Sequence, residues 1–195
     1  MSEAIPPKRV VVLHGYNANP GKHWFDWLAA ELAPDGIAVS TPALPDSANP
    51  SLDAWLAAAR EAIGAPDAGL VVIGHSLGSI TAVKALAGLP HGGAGAWQLA
   101  GLVLVSGFDA PLANLPELDG FTAQTLDYGP IIQSTRNRRM IVSDNDEIVA
   151  PAFSRDLAEA LEADVTVVPV GGHFRADDGY TSFPEVASAV RTMLA

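Results

Sequence analysis

The 195-residue sequence contains no cysteine. That absence removes a thiol nucleophile, a disulfide framework and a cysteine-based zinc site together. Basic residues are also scarce: 11 Lys and Arg stand against 22 Asp and Glu, for a formal net charge of -11. Nucleic-acid binding needs clustered cations to neutralise phosphates, and the single cluster, Arg136, Arg138 and Arg139, reads as a solvated approach to the strand that follows it. No apolar run approaches the roughly 18 residues of a membrane span. Positions 1–9 hold two prolines and no apolar stretch of signal-peptide kind. The expectation is a cytoplasmic protein with neither nucleic acid nor membrane as partner, and with no metal or organic cofactor.

What the chain does hold is apolar material. Hydrophobic residues make up 49% of it, enough at this length to bury a core without covalent or metal staples. Residues 1–195 are therefore expected to form one domain. Short β-branched runs alternate with longer amphipathic or alanine-rich segments, the pattern of an α/β, doubly wound, mostly parallel sheet of about six strands with helices on both faces. The strand candidates are 9–13, 37–40, 70–73, 102–106, 140–143 and 165–168; the helix candidates are 22–32, 52–63, 77–87, 152–162 and 183–194. Ser51 is a plausible helix start, and Gly64 and Gly88 plausible stops. One stretch, 107–135, breaks the rhythm with three prolines and several glycines. It reads either as a minimal cap over a site at the carboxyl ends of the strands or as a surface excursion with one short helix around Ile131.

The strongest local signal is Gly74-His75-Ser76-Leu77-Gly78, a G-x-S-x-G directly after one strand candidate and directly before a helix candidate. In that context the serine occupies a strained turn and flanking glycines let the backbone pass closely. A lone serine is a poor nucleophile, so it needs a base and an orienting carboxylate, expected in the order serine, acid, histidine. His14, His23 and His75 precede or adjoin Ser76, and His91 precedes any acid at a strand end; His173, in Gly171-Gly172-His173-Phe174, remains. The acid should leave the strand at 140–143, where Asp144, Asp146 and Glu147 crowd four positions. For the oxyanion, one donor is the amide of Leu77, after the nucleophile, and the other comes from the loop His14-Gly15-Tyr16-Asn17, with Tyr16 preferred to Asn17. His14 itself reads as a brace for that loop. Phe108, Phe174 and Tyr180 are pocket candidates from their positions near strand ends.

These four segments, with Trp24, Trp55 and Val105-Ser106-Gly107-Phe108, resemble the retinoblastoma-binding-protein-nine-like serine hydrolases, especially the bacterial YdeN-like members. The resemblance runs over nearly the whole chain. It implies a compact α/β-hydrolase domain with a Ser, Asp, His triad and no cofactor, and it selects Asp146 over Asp144 as the acid. It also sets His23 and Trp24 beside the substrate, although Trp24 and Trp27 equally fit ordinary core aromatics. The implied activity is hydrolysis of small acyl esters, with amides or thioesters as variants, through an acyl-enzyme on Ser76. The competing reading is a non-catalytic protein-binding domain that keeps the triad as a relic, since relatives have been linked to protein partners.

Overall fold

The computed structural model describes residues 6–90 and 97–195; His91 lies outside them. Six strands, β1 (Arg9–Leu13), β2 (Ala38–Ser40), β3 (Leu70–His75), β4 (Leu99–Val105), β5 (Thr135–Ser143) and β6 (Asp164–Val168), form one sheet in the order β2-β1-β3-β4-β5-β6. All five pairings are parallel. The helices are α1 (Phe25–Leu32), α2 (Leu52–Ile63), α3 (Leu77–Ala87), α4 (Asp119–Thr122), α5 (Gly129–Ser134), α6 (Pro151–Ala160) and α7 (Pro184–Met193).

In β1, β3 and β4 successive residues point to opposite faces, and both faces are dry. Val11 and Leu13 of β1, Val72 of β3 and Leu102 and Leu104 of β4 join Trp55 of α2, Ile80 of α3 and Leu157 of α6 in one apolar cluster. Their neighbours Val10, Val12, Val71, Ile73, Val103 and Val105 join Leu28 of α1 and Val186 and Val190 of α7 in another. This is why the strands read as continuous apolar runs rather than alternating ones. Each fully buried side chain of this size contributes about 1.5–3 kcal/mol relative to exposure.

Several element edges differ from the sequence expectation, each for a local reason. The first helix begins at Phe25, not at residue 22, because His23 sits at φ 61, outside the helical region. The helix expected over 152–162 instead spans Pro151–Ala160: proline suits the first helical position, and Glu162 has turned to φ 49. Ser51 occupies the position before α2, but its side chain makes no capping hydrogen bond.

The arginine cluster is not a solvated approach to a strand: it lies within β5. Arg138 Nε donates to the Leu161 carbonyl at 2.7 Å and its Nη1 to the carbonyls of Ile132 and Thr135 at 3.1 and 2.7 Å. The guanidinium thus takes up carbonyls at the ends of α5 and α6, which lets a charged residue sit half-buried in the strand.

The 107–135 stretch carries α5 around Ile131, as one of the two readings expected, and α4 besides. Leu112, Leu118, Phe121 and Ile131 are buried in the α2/α3 cluster, and the Phe121 ring meets Trp55 edge-on at 5.6 Å between centroids. At its other side Glu117 adds to burial in raising the Tyr16 hydroxyl above its ordinary value, so the stretch adjoins the loop after β1.

Parallel strands leave all their carboxyl ends on one edge of the sheet. The chain leaves β1 toward β2 on one side and later leaves β3 toward β4 on the other, so a crevice opens where the connections diverge. Gly15, Ser76, Ser106, Asp146 and His173 all lie on that edge, just after β1, β3, β4, β5 and β6. Among the described residues, no helix is long and apolar enough to cross a membrane.

Candidate active site

The turn between β3 and α3 holds Ser76 at φ 54, ψ -123, a backbone conformation that costs a non-glycine residue about 1–3 kcal/mol. Its glycines are required by contact. A Cβ on Gly74 would stand 2.5 Å from Ser79 Cα, and one on Gly78 would collide with the Leu13 carbonyl oxygen. Hydrogen bonds from Ser76 N to Val105 O, and from Ser79 N to Ser76 O, both 2.8 Å, fix the turn from either side. The loop after β1 presses on it as well: a Cβ on Gly15 would approach Ser76 Cβ to 3.0 Å and Oγ to 3.5 Å.

Two main-chain donors stand free beside this turn. Among the described residues neither Leu77 N–H nor Tyr16 N–H has a partner, whereas the Asn17 amide donates to Ser47 O at 2.8 Å. His14 is committed to the loop: Nε2 accepts the Leu44 amide at 3.1 Å, Nδ1–H donates to Gly15 O at 3.0 Å, and its ring meets Trp55 edge-on. Burial holds its pKa below the ordinary value.

The acid loop after β5 separates its carboxylates by environment. Asp144 pairs with Arg155 at 2.8 Å in the open. Asp146 is 6% exposed and turns inward: Oδ1 accepts the amides of Ile148 and Val149 at 2.9 and 3.0 Å, and Oδ2 accepts His173 Nδ1–H at 2.8 Å and Ser106 Oγ–H at 2.7 Å. Burial alone would raise this carboxyl, but the hydrogen bonds from His173, Ser106 and Val149 outweigh it and hold the group below the ordinary aspartate range. Ser106 was not singled out from the sequence for this position. Its only signal is a polar residue closing an apolar strand.

His173 sits on a braced loop. Asn145 Oδ1 accepts Gly171 N and Gly172 N at 3.0 and 2.9 Å, and Asp178 Oδ2 accepts His173 N and Arg175 N at 3.0 and 3.1 Å. From β3, His75 Nε2–H donates to the His173 carbonyl at 2.8 Å, with the two rings 5.2 Å apart. Burial, reinforced by His173, holds His75 well below its ordinary value, so it stays neutral. Ser76 Oγ makes no hydrogen bond to the described residues; contacts of this kind are often long without substrate and tighten when it binds.

The expected pocket residues are placed differently. Trp24, Phe108 and Phe174 are at most 1% exposed and belong to the two apolar clusters. Trp24 Nε1 donates to Phe174 O at 3.2 Å, and Phe174 stacks on Phe183. These three therefore serve as core and loop anchors, as the other reading of Trp24 had it. His23 is half-buried against His75, accepts the Ala176 amide on Nδ1, and is pushed down to about 4 by burial and the nearby Lys22 and Arg175. The open concavity beside His173, about 280 Å³, is lined by Asn145, Glu147, Ile148, Gly172, Arg175 and Asp178.

A strand, a strained serine turn and a helix, with an acid–histidine pair supplied by later strands of a parallel sheet, define an α/β-hydrolase architecture. A family model described as Serine hydrolase matches residues 10–192, and the chain belongs to that family of enzymes. It is 37% identical over 179 residues to YdeN of Bacillus subtilis (strain 168), covering 92% of each chain. The crystal structure of the B. subtilis ydeN gene product matches with a TM-score of 0.90 at 35% identity, over 95% of this chain and 98% of that one. The YdeN-like resemblance drawn from the motifs is borne out. Est1E from Butyrivibrio proteoclasticus, solved with ferulic acid bound, shares the fold at a TM-score of 0.69 and 14% identity, over 97% of this chain and 89% of that chain.

Proposed function

We propose that the chain, acting as a single domain, hydrolyses small acyl esters through an acyl-enzyme on Ser76, with His173 as general base and Asp146 as its orienting acid. The observation that carries this reading is the 2.8 Å hydrogen bond between His173 Nδ1 and Asp146 Oδ2, on loops that leave the same sheet edge as the Ser76 turn. With Nδ1–H held by the carboxylate, the imidazole is kept in the tautomer whose Nε2 lone pair can accept a proton. His173 Nε2 takes the Ser76 proton as Oγ bonds to the ester carbonyl carbon. The amides of Leu77 and Tyr16, free of other partners, receive the oxyanion. The C–O bond to the alcohol then breaks, and the alcohol departs with the proton from His173. Water, deprotonated by the same imidazole, cleaves the acyl-enzyme and restores Ser76. The burial of Trp24, Phe108 and Phe174 leaves polar walls beside His173, which favours short acyl substrates over long apolar chains. Est1E, which shares the fold and binds ferulic acid, supports an ester as the first class to screen.

The test is fluorophosphonate labelling with peptide mapping, followed by turnover of p-nitrophenyl acetate. The expected result is one adduct, on Ser76, with rates lowered about 10³- to 10⁴-fold in His173→Ala and Asp146→Asn and little changed in Asp144→Asn, whose pairing is exposed. No adduct on the folded protein, or labelling indifferent to His173, would overturn the mechanism and favour the non-catalytic binding role.

A further inference from the structure

One buried hydroxyl outside the Ser76, Asp146 and His173 set is aimed at the same carboxylate. Ser106, directly after β4, is 1% exposed and donates Oγ–H to Asp146 Oδ2 at 2.7 Å, the oxygen that also accepts His173 Nδ1–H. The amides of Ile148 and Val149 occupy Oδ1. An ionised carboxylate offers about four lone-pair sites, and here each has a donor. The placement is also held against backbone preference. Ser106 lies at φ 48, with its N–H bound to Ile141 O at 3.1 Å, a conformation that a residue with a side chain rarely adopts. Strain at a buried hydroxyl that grips an acid points to a role for that hydroxyl.

We propose that Ser106 is a positioning residue of the reaction, its hydroxyl fixing the Asp146 carboxylate and, through it, the orientation of the His173 ring. This rests on the triad reading above. A carboxylate oxygen held by two donors cannot turn without breaking one of them. Without the Ser106 hydroxyl, Oδ2 has His173 as its remaining donor, the carboxylate is freer to turn, and the imidazole it holds is less well aimed at Ser76. The loss then falls on kcat, while KM, which does not depend on this bond, stays close to wild type. The other groups facing His173 are His75 from β3, His23 ahead of α1, Glu147 on the acid loop, and Arg175 and Asp178 on its own loop. All are unchanged by a substitution at position 106.

The experiment compares wild type with Ser106→Ala and Ser106→Gly. Alanine keeps the strained backbone and removes the hydroxyl; glycine removes the hydroxyl and is at ease at that φ, which preserves the fold. The readouts are kcat and KM taken separately on p-nitrophenyl acetate, and the His173 Nδ1 proton resonance followed by NMR, which reports the bond to Asp146 and needs no turnover. Both variants are expected to lower kcat about three- to tenfold with KM close to wild type, and to move that resonance. An unchanged kcat with an unmoved resonance, or a loss in alanine that is absent in glycine, would overturn the proposal. Ser76→Ala and Asp146→Asn serve as controls. If they keep wild-type turnover, the triad reading falls and this inference with it; if they are inert and kcat and the resonance are unmoved in the Ser106 variants, this inference alone falls.

Discussion

The His75 side chain, one residue before Ser76, donates its Nε2–H to the main-chain carbonyl of His173 at 2.8 Å. A single hydrogen bond thus ties the serine turn to the histidine loop across 98 residues of chain. Replacing His75 with leucine is expected to lower kcat by about tenfold or more, ~1.4 kcal/mol or more of barrier, with KM little affected. Glutamine, which can present an N–H at similar reach, should recover most of the rate. Steady-state kinetics of the two variants, with phosphonate labelling rates at Ser76, make the comparison. Equal rates in leucine and glutamine would show that the bond does not position His173.

Gly15 and Gly78 are both crowded, but against different atoms, so alanine should act differently at each. A methyl on Gly15 meets Ser76 Cβ at 3.0 Å and His75 O at 3.1 Å. A displacement of a few tenths of an ångström at Ser76 is expected to reduce kcat/KM by up to about 100-fold, with a small change in the urea midpoint. A methyl on Gly78 would fall on the Leu13 carbonyl, rigid backbone at the carboxyl end of β1. That variant should lose about 4 kcal/mol or more of stability, read as failure to fold or a collapsed midpoint.

Asn145 carries no charge and no expected chemistry, yet its Oδ1 accepts Ser143 Oγ–H at 2.7 Å as well as the amides of Gly171 and Gly172. Asn145→Ala leaves the Gly172 amide without its acceptor and the Gly171 amide with Ser143 Oγ alone, for a loss of about 1–3 kcal/mol. Denaturant unfolding measures the loss. The same variant should label more slowly at Ser76, because the loop holding His173 is less constrained.

Acid should destabilise the fold well before its carboxylates protonate. Burial lowers His14, His23 and His75 from the ordinary 6.5, His23 to about 4. The unfolded chain then binds protons that the folded chain refuses, so stability is full above about pH 6.5 and falls as the pH drops below it. Asp146, lowered from 3.8, adds its own loss only as the pH falls through that lower range. Urea midpoints should decline from pH 7 to pH 4.5, and His75→Gln, which takes no proton, should flatten the decline. A level midpoint would mean that these rings accept protons in place.

What could be read from the sequence was what short stretches of chain determine. β1, α2 and α3 fall where their patterns put them, and the G-x-S-x-G announces its own turn because its glycines answer to atoms four or five residues away or on the adjacent strand. Ser106 was not legible in this way: its partner, Asp146, is 40 residues distant, and only the pairing of β4 with β5 brings them together. The aromatics expected beside the substrate, Trp24 from the resemblance and Phe108 and Phe174 from nearby strand ends, gave a similar difficulty. Trp24, Phe108 and Phe174 occupy positions that a pocket wall and a core anchor share, and depth below the surface, which decides between them, is not a local property. Arg138 was misplaced because a strand was not expected to hold a guanidinium that finds its carbonyls on two separate helices.

The five loops at the carboxyl edge of the sheet come from strands that are all distant in the chain, and the last of them follows β6, at the end of the strand order. On the triad reading, reactivity at Ser76 therefore requires β5 and β6 to have joined the sheet, and it is expected to appear after the core has collapsed. Partial assemblies of β1, β3 and β4 can bury apolar surface and form the serine turn, but they leave it without an acid or a histidine. A refolding experiment that follows phosphonate capture beside tryptophan fluorescence would time the closing of the sheet against the collapse of its core, with the site acting as its own clock.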